Sequence, residues 1–471
     1  MNTILLQPID VLFFRDGRPM EGSLAGHGAA FPLPTVINGA FHAALHRAGF
    51  TEVHLHRRGK SGRYDDKQRD RKYGCLKTAG PFPVRLENEG ENNLKWYFPR
   101  PLDLTDKTLS PTLLPTDMFD SLESSLPDPL EYAVASIRKP EKESDAKNWL
   151  SMQAFEKYVN GEDLIPDGLD AANDSDFSEA EHSIGIAIDP ESGTTGGEEA
   201  AGKIYSAHYL RLKEEWRLGV FAEAKDKDFN HTQYGNDLVK ALLNGEGKLI
   251  IVGGQQRMCT ARMVEIEGSR LPLPYGKANS FNQYGEKYLV KWILLTPAVY
   301  PEIPNDESKG IKYHPGGWLP NWIDTETGRV LLKAGDTERR ESESREEWRK
   351  RVRELPTISA RLVAALVPKP VVVTGWAIGD ENAGEKAGAM SAHLAVPAGS
   401  IYYFEADSEE DATNLANALN WHDRPDAKDF GKTIKNCRST LLGEKGFGLG
   451  VCGTFTFFSK SNSEKGHTRT S

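Results

Sequence analysis

The chain has 471 residues, with 58 Lys or Arg against 68 Asp or Glu, so its formal net charge at pH 7 is −10. This length predicts two or three domains, and the acidic balance argues against a general polyanion binder, although a local basic surface could still hold nucleic acid. We expect a soluble cytoplasmic protein without cofactor, metal or membrane partner, because membrane-length apolar runs, a signal peptide and closely spaced cysteines are missing.

The first fifty residues predict two strands, a loop that contains several glycines, and a helix. Thr3–Leu6 and Ile9–Phe14 are apolar and partly β-branched, which favours strands. Thr35 as an N-cap and Gly49 after the last turn delimit the helix, in which apolar residues recur at i, i+3 and i+4. This spacing leaves one polar helix face directed away from the core.

Two segments carry opposite charge. Residues 55–77 contain nine Lys or Arg and three Asp, and residues 161–181 contain eight acids without any Lys or Arg. Both are expected to be exposed, because segments of this composition bury little apolar surface. We therefore predict insertions at about 55–77 and about 82–181, the second of which begins with an irregular segment, 82–128, rich in proline and short apolar pieces.

The rest of the chain predicts strand pairs and two helices. Ser183–Asp189 with Ile204–Leu212, and Lys248–Gly254 with Arg257–Glu267, have the pattern of antiparallel pairs. Further predicted strands are Tyr288–Leu295, Arg361–Val367, Pro370–Ile378, Ser400–Phe404 and Thr454–Phe458, and the predicted helices are Lys333–Leu355, which faces solvent, and Ser408–Trp421. Because long parallel βα alternation is missing, we expect an α+β fold of two domains with antiparallel sheets, 1–285 and 286–471.

A glycine-rich segment at residues 443–453, called the glycine loop below, contains the pattern G-x-G-x-x-G at Gly448–Gly453. A dinucleotide site would need a helix after it, whereas a strand-like run follows. Glycines could instead let the backbone approach a partner and offer N–H groups to phosphates, with Lys445 adding charge and Phe447 stacking on a base. Bulges in an edge hairpin are the equally open alternative.

Two histidines, His42 and His46, lie one turn apart on the polar face of the first helix. They lack the glutamate and the third ligand of a zinc site, but they could act as general acid and base in a metal-independent ribonuclease. The alternative is a polar face near solvent. The dipeptide His422-Asp423 lacks the further ligands of a metal phosphohydrolase.

Several motifs together resemble one family. The run Pro8–Pro19, followed by Pro32–Thr35 and Asn38-Gly39-Ala40, resembles the start of the subunit-three family of the type III-B CRISPR (Cmr) effector complex. The further matches are Ser183–Ile186, Ile204–Ser206, Gly253–Arg257, Thr374–Trp376, Val396–Phe404 and Gly446–Gly450. Two departures are His42, where relatives often carry Arg, and Gly-Gly-Gln-Gln-Arg in place of Gly-Gly-Glu-Arg.

The resemblance implies two ferredoxin-like (RRM-like) domains and a non-catalytic subunit that binds the 5′ repeat-derived tag of the CRISPR RNA in antiviral defence. Its implied partners are the large polymerase-like subunit and the backbone subunits, with target RNA met only indirectly. The RNA-binding residues that it implies, with those suggested by the glycine loop, are Arg15, Arg18, Asn38, Gly39, His42, Arg47, Lys445, Gly446, Phe447, Gly448 and Gly450. We therefore expect the first helix and the glycine loop to converge on one cleft for unpaired RNA. An endoribonuclease that processes CRISPR precursor RNA is the alternative.

Overall fold

A computed structural model gives the fold. It describes residues 1–15, 25–26, 29, 31–50, 56–58, 71–73, 75–87, 93–104, 112–115, 126–135, 146–162, 170–186, 192–194, 204–226, 229–231, 233–245, 247–340, 342–377, 388–389 and 391–457. In these ranges, no helix has the length and apolar character needed to cross a membrane. Arg18, most of the basic 55–77 segment and part of the acidic 161–181 segment lie outside the described residues.

The N-terminal half contains fifteen described strands and four described helices. The strands are β1 Asn2–Pro8, β2 Ala25–Gly26, β3 His56–Arg58, β4 Arg71–Tyr73, β5 Leu76–Leu86, β6 Leu94–Pro99, β7 Thr112–Pro115, β8 Tyr132–Ala135, β9 Trp149–Ser151, β10 Ala171–Ala172, β11 Ser178–Ile186, β12 Ile204–Leu212, β13 Trp216–Ala224, β14 Lys248–Ile251 and β15 Met258–Val264. The helices are α1 Pro34–Arg47, α2 Met152–Asn160, α3 Asp174–Phe177 and α4 Leu238–Leu242.

The C-terminal half contains ten described strands and two described helices. The strands are β16 Asn282–Tyr284, β17 Lys287–Leu294, β18 Ala298–Val299, β19 Ala360–Leu366, β20 Val371–Val373, β21 Trp376–Ala377, β22 Gly388–Ala389, β23 His393–Val396, β24 Ile401–Ala406 and β25 Gly450–Thr454. The helices are α5 Arg345–Glu354 and α6 Glu409–Leu419.

Each half is built on one antiparallel sheet. The N-terminal sheet has the order β10-β9-β6-β5-β13-β1-β15-β14. The C-terminal sheet has the order β16-β17-β24-β19, and β25 pairs with β17 next to β16. The predicted mixture of helices with antiparallel sheets is thereby confirmed.

Both sheets bury side chains on two faces, as the period of two along their strands requires. In β1, Ile4 and Leu6 lie in a core covered by α1 and α4, whereas Leu5 joins a middle core. In β17, Trp292 packs with α6, whereas Ile293 joins the same middle core. The two sheets and α2 therefore share one hydrophobic interior that crosses the predicted 285/286 boundary.

A buried polar cluster lies within this shared interior. Lys291 of β17 places its ammonium 2.9 Å from a carboxylate oxygen of Asp103, and the two side chains are only 3% and 1% exposed. The ammonium also donates to the hydroxyl of Tyr158 in α2 at 2.6 Å, and that hydroxyl donates to Asp103. The cluster thus joins the segment after β6, α2 and the C-terminal sheet.

Residues 82–181, predicted as an insertion with an irregular first part, instead contribute the second half of β5 and strands β6, β9 and β10 to the N-terminal sheet, so the irregular structure predicted there was wrong. Prolines in β5 had suggested a break. Pro81 and Pro83 are tolerated because pairing with β6 begins only at Val84, so their missing N–H groups leave that ladder intact. In the acidic segment, expected to be exposed, the side chain of Phe177 is buried.

Several elements differ from the predictions. After β1 the chain leaves the sheet, and Leu12 makes a single bridge to Leu210 in place of the predicted strand Ile9–Phe14. Helix α1 begins at Pro34, since proline is well suited to the first helical position. The helix predicted over 333–355 is limited to α5, whose N-terminus is fixed by a capping box of Ser344 and Glu347.

The last helix agrees with its prediction. Helix α6 begins after Ser408, whose hydroxyl accepts from the N–H of Asp411 at 3.0 Å. The strand expected at Thr454–Phe458 lies earlier, because β25 takes Gly450–Thr454 from the glycine loop. Phe458 lies outside the described residues.

Candidate nucleic-acid interface

Helix α1 presents a polar face beside the N-terminal sheet. Ile37, Phe41 and Leu45 are fully buried and hold the helix on its core. On the other side Gly39 is exposed, and a Cβ placed there would meet nothing within 4 Å. Arg47 is exposed in the last turn, where a cation is favoured by the helix dipole. This open face could accept a ligand without rearrangement of the core.

The polar face of α1 and the glycine loop meet at Thr78 of β5. The amide of Asn38 donates to the Thr78 hydroxyl at 3.1 Å. From the loop, Gly446 lies so close that a Cβ would stand 2.6 Å from the Thr78 carbonyl oxygen. The two regions that we expected to converge are therefore neighbours.

The glycines of the loop contact the protein itself. Gly446 and Gly448 have φ of 91° and 76°, a backbone region that glycine adopts freely. A Cβ on Gly448 would lie 2.1 Å from the Ser439 nitrogen, and one on Gly450 would lie 2.4 Å from the indole nitrogen of Trp292. Close backbone approach is thus used for internal packing.

The N–H groups of the loop are also used internally. Gly446 donates to the Gly443 carbonyl at 3.0 Å, and Gly448 donates to the Pro297 carbonyl at 2.7 Å. The predicted presentation of these N–H groups to phosphates does not fit this arrangement, since each already has a backbone acceptor. Of the two alternatives left open, the loop's glycines fit bulged packing beside a strand.

Phe447 cannot stack on a base in this structure. Its side chain is fully buried in a small core with Val299, Val373, Ala395 and Leu442. The predicted stacking role is therefore wrong, because the ring that would contact a nucleotide already fills the interior. Lys445, by contrast, is half-buried on the turn Gly443–Lys445.

Two further cations lie near the loop. Burial raises the pKa of the Cys437 thiol to about 12, and the nearby charges of Lys77 and Arg438 act against that rise. Burial lowers the pKa of Arg438 to about 10, and its backbone N–H donates to the Gly448 carbonyl at 2.7 Å. No sequence pattern indicated Arg438, because its place beside the loop depends on the tertiary fold.

The two histidines of α1 are in contact. Their ring centroids are 4.7 Å apart in an edge-to-face arrangement, and burial lowers the pKa of His46. In the part of the chain that the structure describes, no group of three His, Cys, Asp or Glu is placed to hold a metal ion. His422 is buried, and its Nε2 accepts from the Gly276 N–H at 2.9 Å. This imidazole therefore makes an internal structural contact.

A second polar cluster lies around the segment Gly253–Arg257, and sequence reasoning assigned it no role. Gly254 donates to the Phe13 carbonyl at 2.9 Å, and Gln255 and Gln256 both have positive φ, of 54° and 55°. Tyr209 donates to the Gln255 side chain at 2.7 Å, and the Arg257 guanidinium stands 4.8 Å above the Tyr209 ring. Two motifs of the family resemblance are thus packed together. Arg15, at the end of this N-terminal segment, is exposed.

Comparisons with known proteins agree with the motifs. The family model of the CRISPR-associated protein Cas_Cmr3 matches residues 4–454. No curated protein gives a significant match. Among solved structures, the chain is similar to a chain in a cryo-EM structure of the type III-B Cmr-beta bound to cognate target RNA, with 16% identity, a TM-score of 0.37 and coverage of 85% of this chain and 86% of that chain.

A second similar chain comes from a crystal structure of the Csm3-Csm4 subcomplex in the type III-A CRISPR-Cas interference complex. It has 9% identity and a TM-score of 0.31, and the match covers 85% of this chain and 92% of that chain. Because the family model spans almost the whole sequence, the resemblance to the subunit-three family is confirmed, and the chain belongs to the Cas_Cmr3 family of CRISPR-associated proteins.

Proposed function

We propose that this protein is a non-catalytic subunit of a type III-B CRISPR RNA-guided interference complex, located in the cytoplasm, that binds the 5′ tag of the CRISPR RNA in antiviral defence. In this proposal it bridges the large polymerase-like subunit to the backbone subunits and meets target RNA only indirectly. Membership of the Cas_Cmr3 family supports the setting.

The fold supports a two-domain arrangement of the ferredoxin-like kind. In the N-terminal sheet the central strands run β15-β1-β13-β5, and α1 follows β1 in the chain. In the C-terminal sheet the corresponding order is β25-β17-β24-β19, and α6 follows β24. When the four strands of each half are numbered in chain order, both sheets have the order 4-1-3-2, with β1 or β17 as strand 1. Each half thus has the strand order expected for an RRM-like domain.

The observation that carries the tag-binding proposal is the meeting of α1 and the glycine loop at Thr78. The open surface at Gly39 lies on the same helix as the half-exposed His42 and the exposed Arg47, and Lys445 lies on the adjoining loop. Cations and an amide group beside a partly exposed helix face suit the phosphates, 2′-hydroxyls and base edges of a short unpaired RNA. We therefore assign tag binding to the α1 face.

The test places a negative charge on this face. Gly39→Asp adds a carboxylate at a position where the Cβ would meet no neighbouring element within 4 Å, so the fold should be retained and phosphate binding weakened by repulsion. The matched control, Gln153→Glu, adds the same charge at an exposed position of α2. Fluorescence anisotropy with a tag RNA should show at least a several-fold loss of affinity for Gly39→Asp alone. Equal affinities for the two variants would contradict the proposal.

The contact between His42 and His46 favours one second candidate, a metal-independent endoribonuclease that processes CRISPR precursor RNA. Two adjacent imidazoles could supply an acid and a base. Incubation of the purified protein with repeat RNA in a chelator distinguishes the two functions. Cleavage that is abolished by His42→Ala would establish the nuclease and overturn the non-catalytic assignment.

A further inference from the structure

Helix α5 is highly charged and contributes no side chain to a hydrophobic core. It has no buried residue, and it is held to the protein by a few polar contacts. The indole N–H of Trp348 donates to the Thr337 carbonyl at 2.9 Å, and Arg351 pairs with Glu343 at 2.8 Å. Trp348, Arg351 and the capping box therefore hold the helix in place.

Three arginines of α5 form a line on its exposed side. Arg345, Arg349 and Arg353 are spaced by four residues, so they follow one another at about 6 Å along the helix. All three are exposed. We refer to them as the arginine stripe. Like charges at this spacing destabilise a helix, so helix formation does not explain the stripe.

Elsewhere, exposed arginines commonly have carboxylate partners. Arg211 pairs with Glu181 at 2.7 Å and Arg424 with Asp426 at 2.7 Å. Within the described ranges, by contrast, the side chains of the arginine stripe form neither an ion pair nor a hydrogen bond. The acids of the same helix, Glu346, Glu347 and Glu354, leave the stripe unpaired within the described residues, and a line of exposed guanidinium groups is complementary to a linear polyanion.

We propose that the arginine stripe binds the phosphate backbone of single-stranded RNA, without reading its sequence. Guanidinium groups suit phosphates because their planar donors can form paired hydrogen bonds. The stripe belongs to the C-terminal half and is separate from the α1 face, so this inference does not depend on the assignment of tag binding. It gives the protein a second RNA contact, electrostatic in character.

The experiment measures the salt dependence of oligouridylate binding to the full chain. The variant is Arg345→Gln/Arg349→Gln/Arg353→Gln, which keeps helix propensity and removes three charges. The control is Lys240→Gln/Lys312→Gln/Lys369→Gln, with the same charge change at exposed positions outside α5. Each phosphate contact to a single strand contributes about 0.7 to the slope of log K against log salt, so the stripe variant should lower the slope by about 2 relative to the control.

Crosslinking provides an independent measurement. Ultraviolet crosslinking followed by mass spectrometry should recover RNA-linked peptides from α5 in the wild type and lose them in the stripe variant. Equal salt slopes for the stripe variant and its control, or no α5 peptides linked to RNA, would overturn the proposal. Loss of a protein neighbour from the purified complex with an unchanged RNA slope would also overturn it, because the stripe would then be a protein contact.

Discussion

The glycine loop and the α1 face lie side by side at Thr78, yet their residues serve different purposes. In the loop, Phe447 is fully buried, and Gly448 presses against Ser439. On α1, Gly39 faces open space, although it too is a glycine. The comparison shows that glycine composition alone does not identify a ligand site. What distinguishes the two regions is whether the space beside the glycine is filled by the protein.

The largest effect should follow removal of the loop's buried ring. Phe447→Ala leaves a cavity in its core and should lower the free energy of unfolding by about 3–5 kcal/mol, measured by urea denaturation. Tyr313→Ala, at a half-exposed ring, serves as the control and should cost far less. If Phe447→Ala kept its stability and lost only RNA affinity, the conclusion that the glycine loop is used for internal packing and the α1 face for binding would be wrong.

A smaller loss is expected from a methyl group at a glycine of the loop. Gly448→Ala should cost about 3 kcal/mol, because it combines a strained positive φ with a contact 2.1 Å from Ser439. Gly39→Ala should instead raise stability by about 0.5–1 kcal/mol, since alanine favours a helix and meets no neighbour. Equal effects of the two substitutions, compared by their urea midpoints, would show that the regions do not differ in packing.

The smallest effect concerns pH. Burial lowers the pKa of His422. The preceding residue, Trp421, donates its backbone N–H to the Gly450 carbonyl of the glycine loop. The neutral imidazole is thus favoured in the folded state, so its contribution to stability is complete above the unfolded pKa of about 6.5 and is lost as pH falls below it. Between pH 7.5 and 5.5, wild type should therefore lose more stability than His422→Gln, as measured by urea denaturation at the two pH values, and equal losses would contradict the prediction.

His46 on α1 provides the comparison. Burial also lowers its pKa, but its ring is half-exposed, so water screens much of the effect. His46→Gln should therefore change the pH dependence of unfolding less than His422→Gln does. A larger effect of His46→Gln would show that His46 on α1 is more strongly desolvated than His422.

The sequence was most informative where one local signal decides an element. The hydroxyl of Ser408 caps α6, and the described part of the predicted run Ser183–Asp189, Ser183–Ile186, pairs with the predicted run Ile204–Leu212. It failed where neighbours decide. Prolines in β5 suggested a break in this strand. The strand is nevertheless continuous, and β6 pairs with it only from Val84 onward, beyond Pro81 and Pro83.

The candidate site was predicted in part for the same reason. Periodicity placed Asn38 and His42 on a polar face, and helix geometry makes that inference local. The depth of Phe447 and the position of Arg438 beside Gly448 depend on contacts between distant segments, which spacing along the chain does not encode. Family motifs located the loop but not the direction in which its side chains point.

The buried cluster of Lys291, Asp103 and Tyr158 has a consequence for how the molecule is divided. Loss of either partner would leave the other charge unpaired inside this interior, which typically costs about 3–5 kcal/mol. The pair therefore ties the two sheets together across their common interior, and the sequence boundary between the halves passes beside that interior, not through a linker.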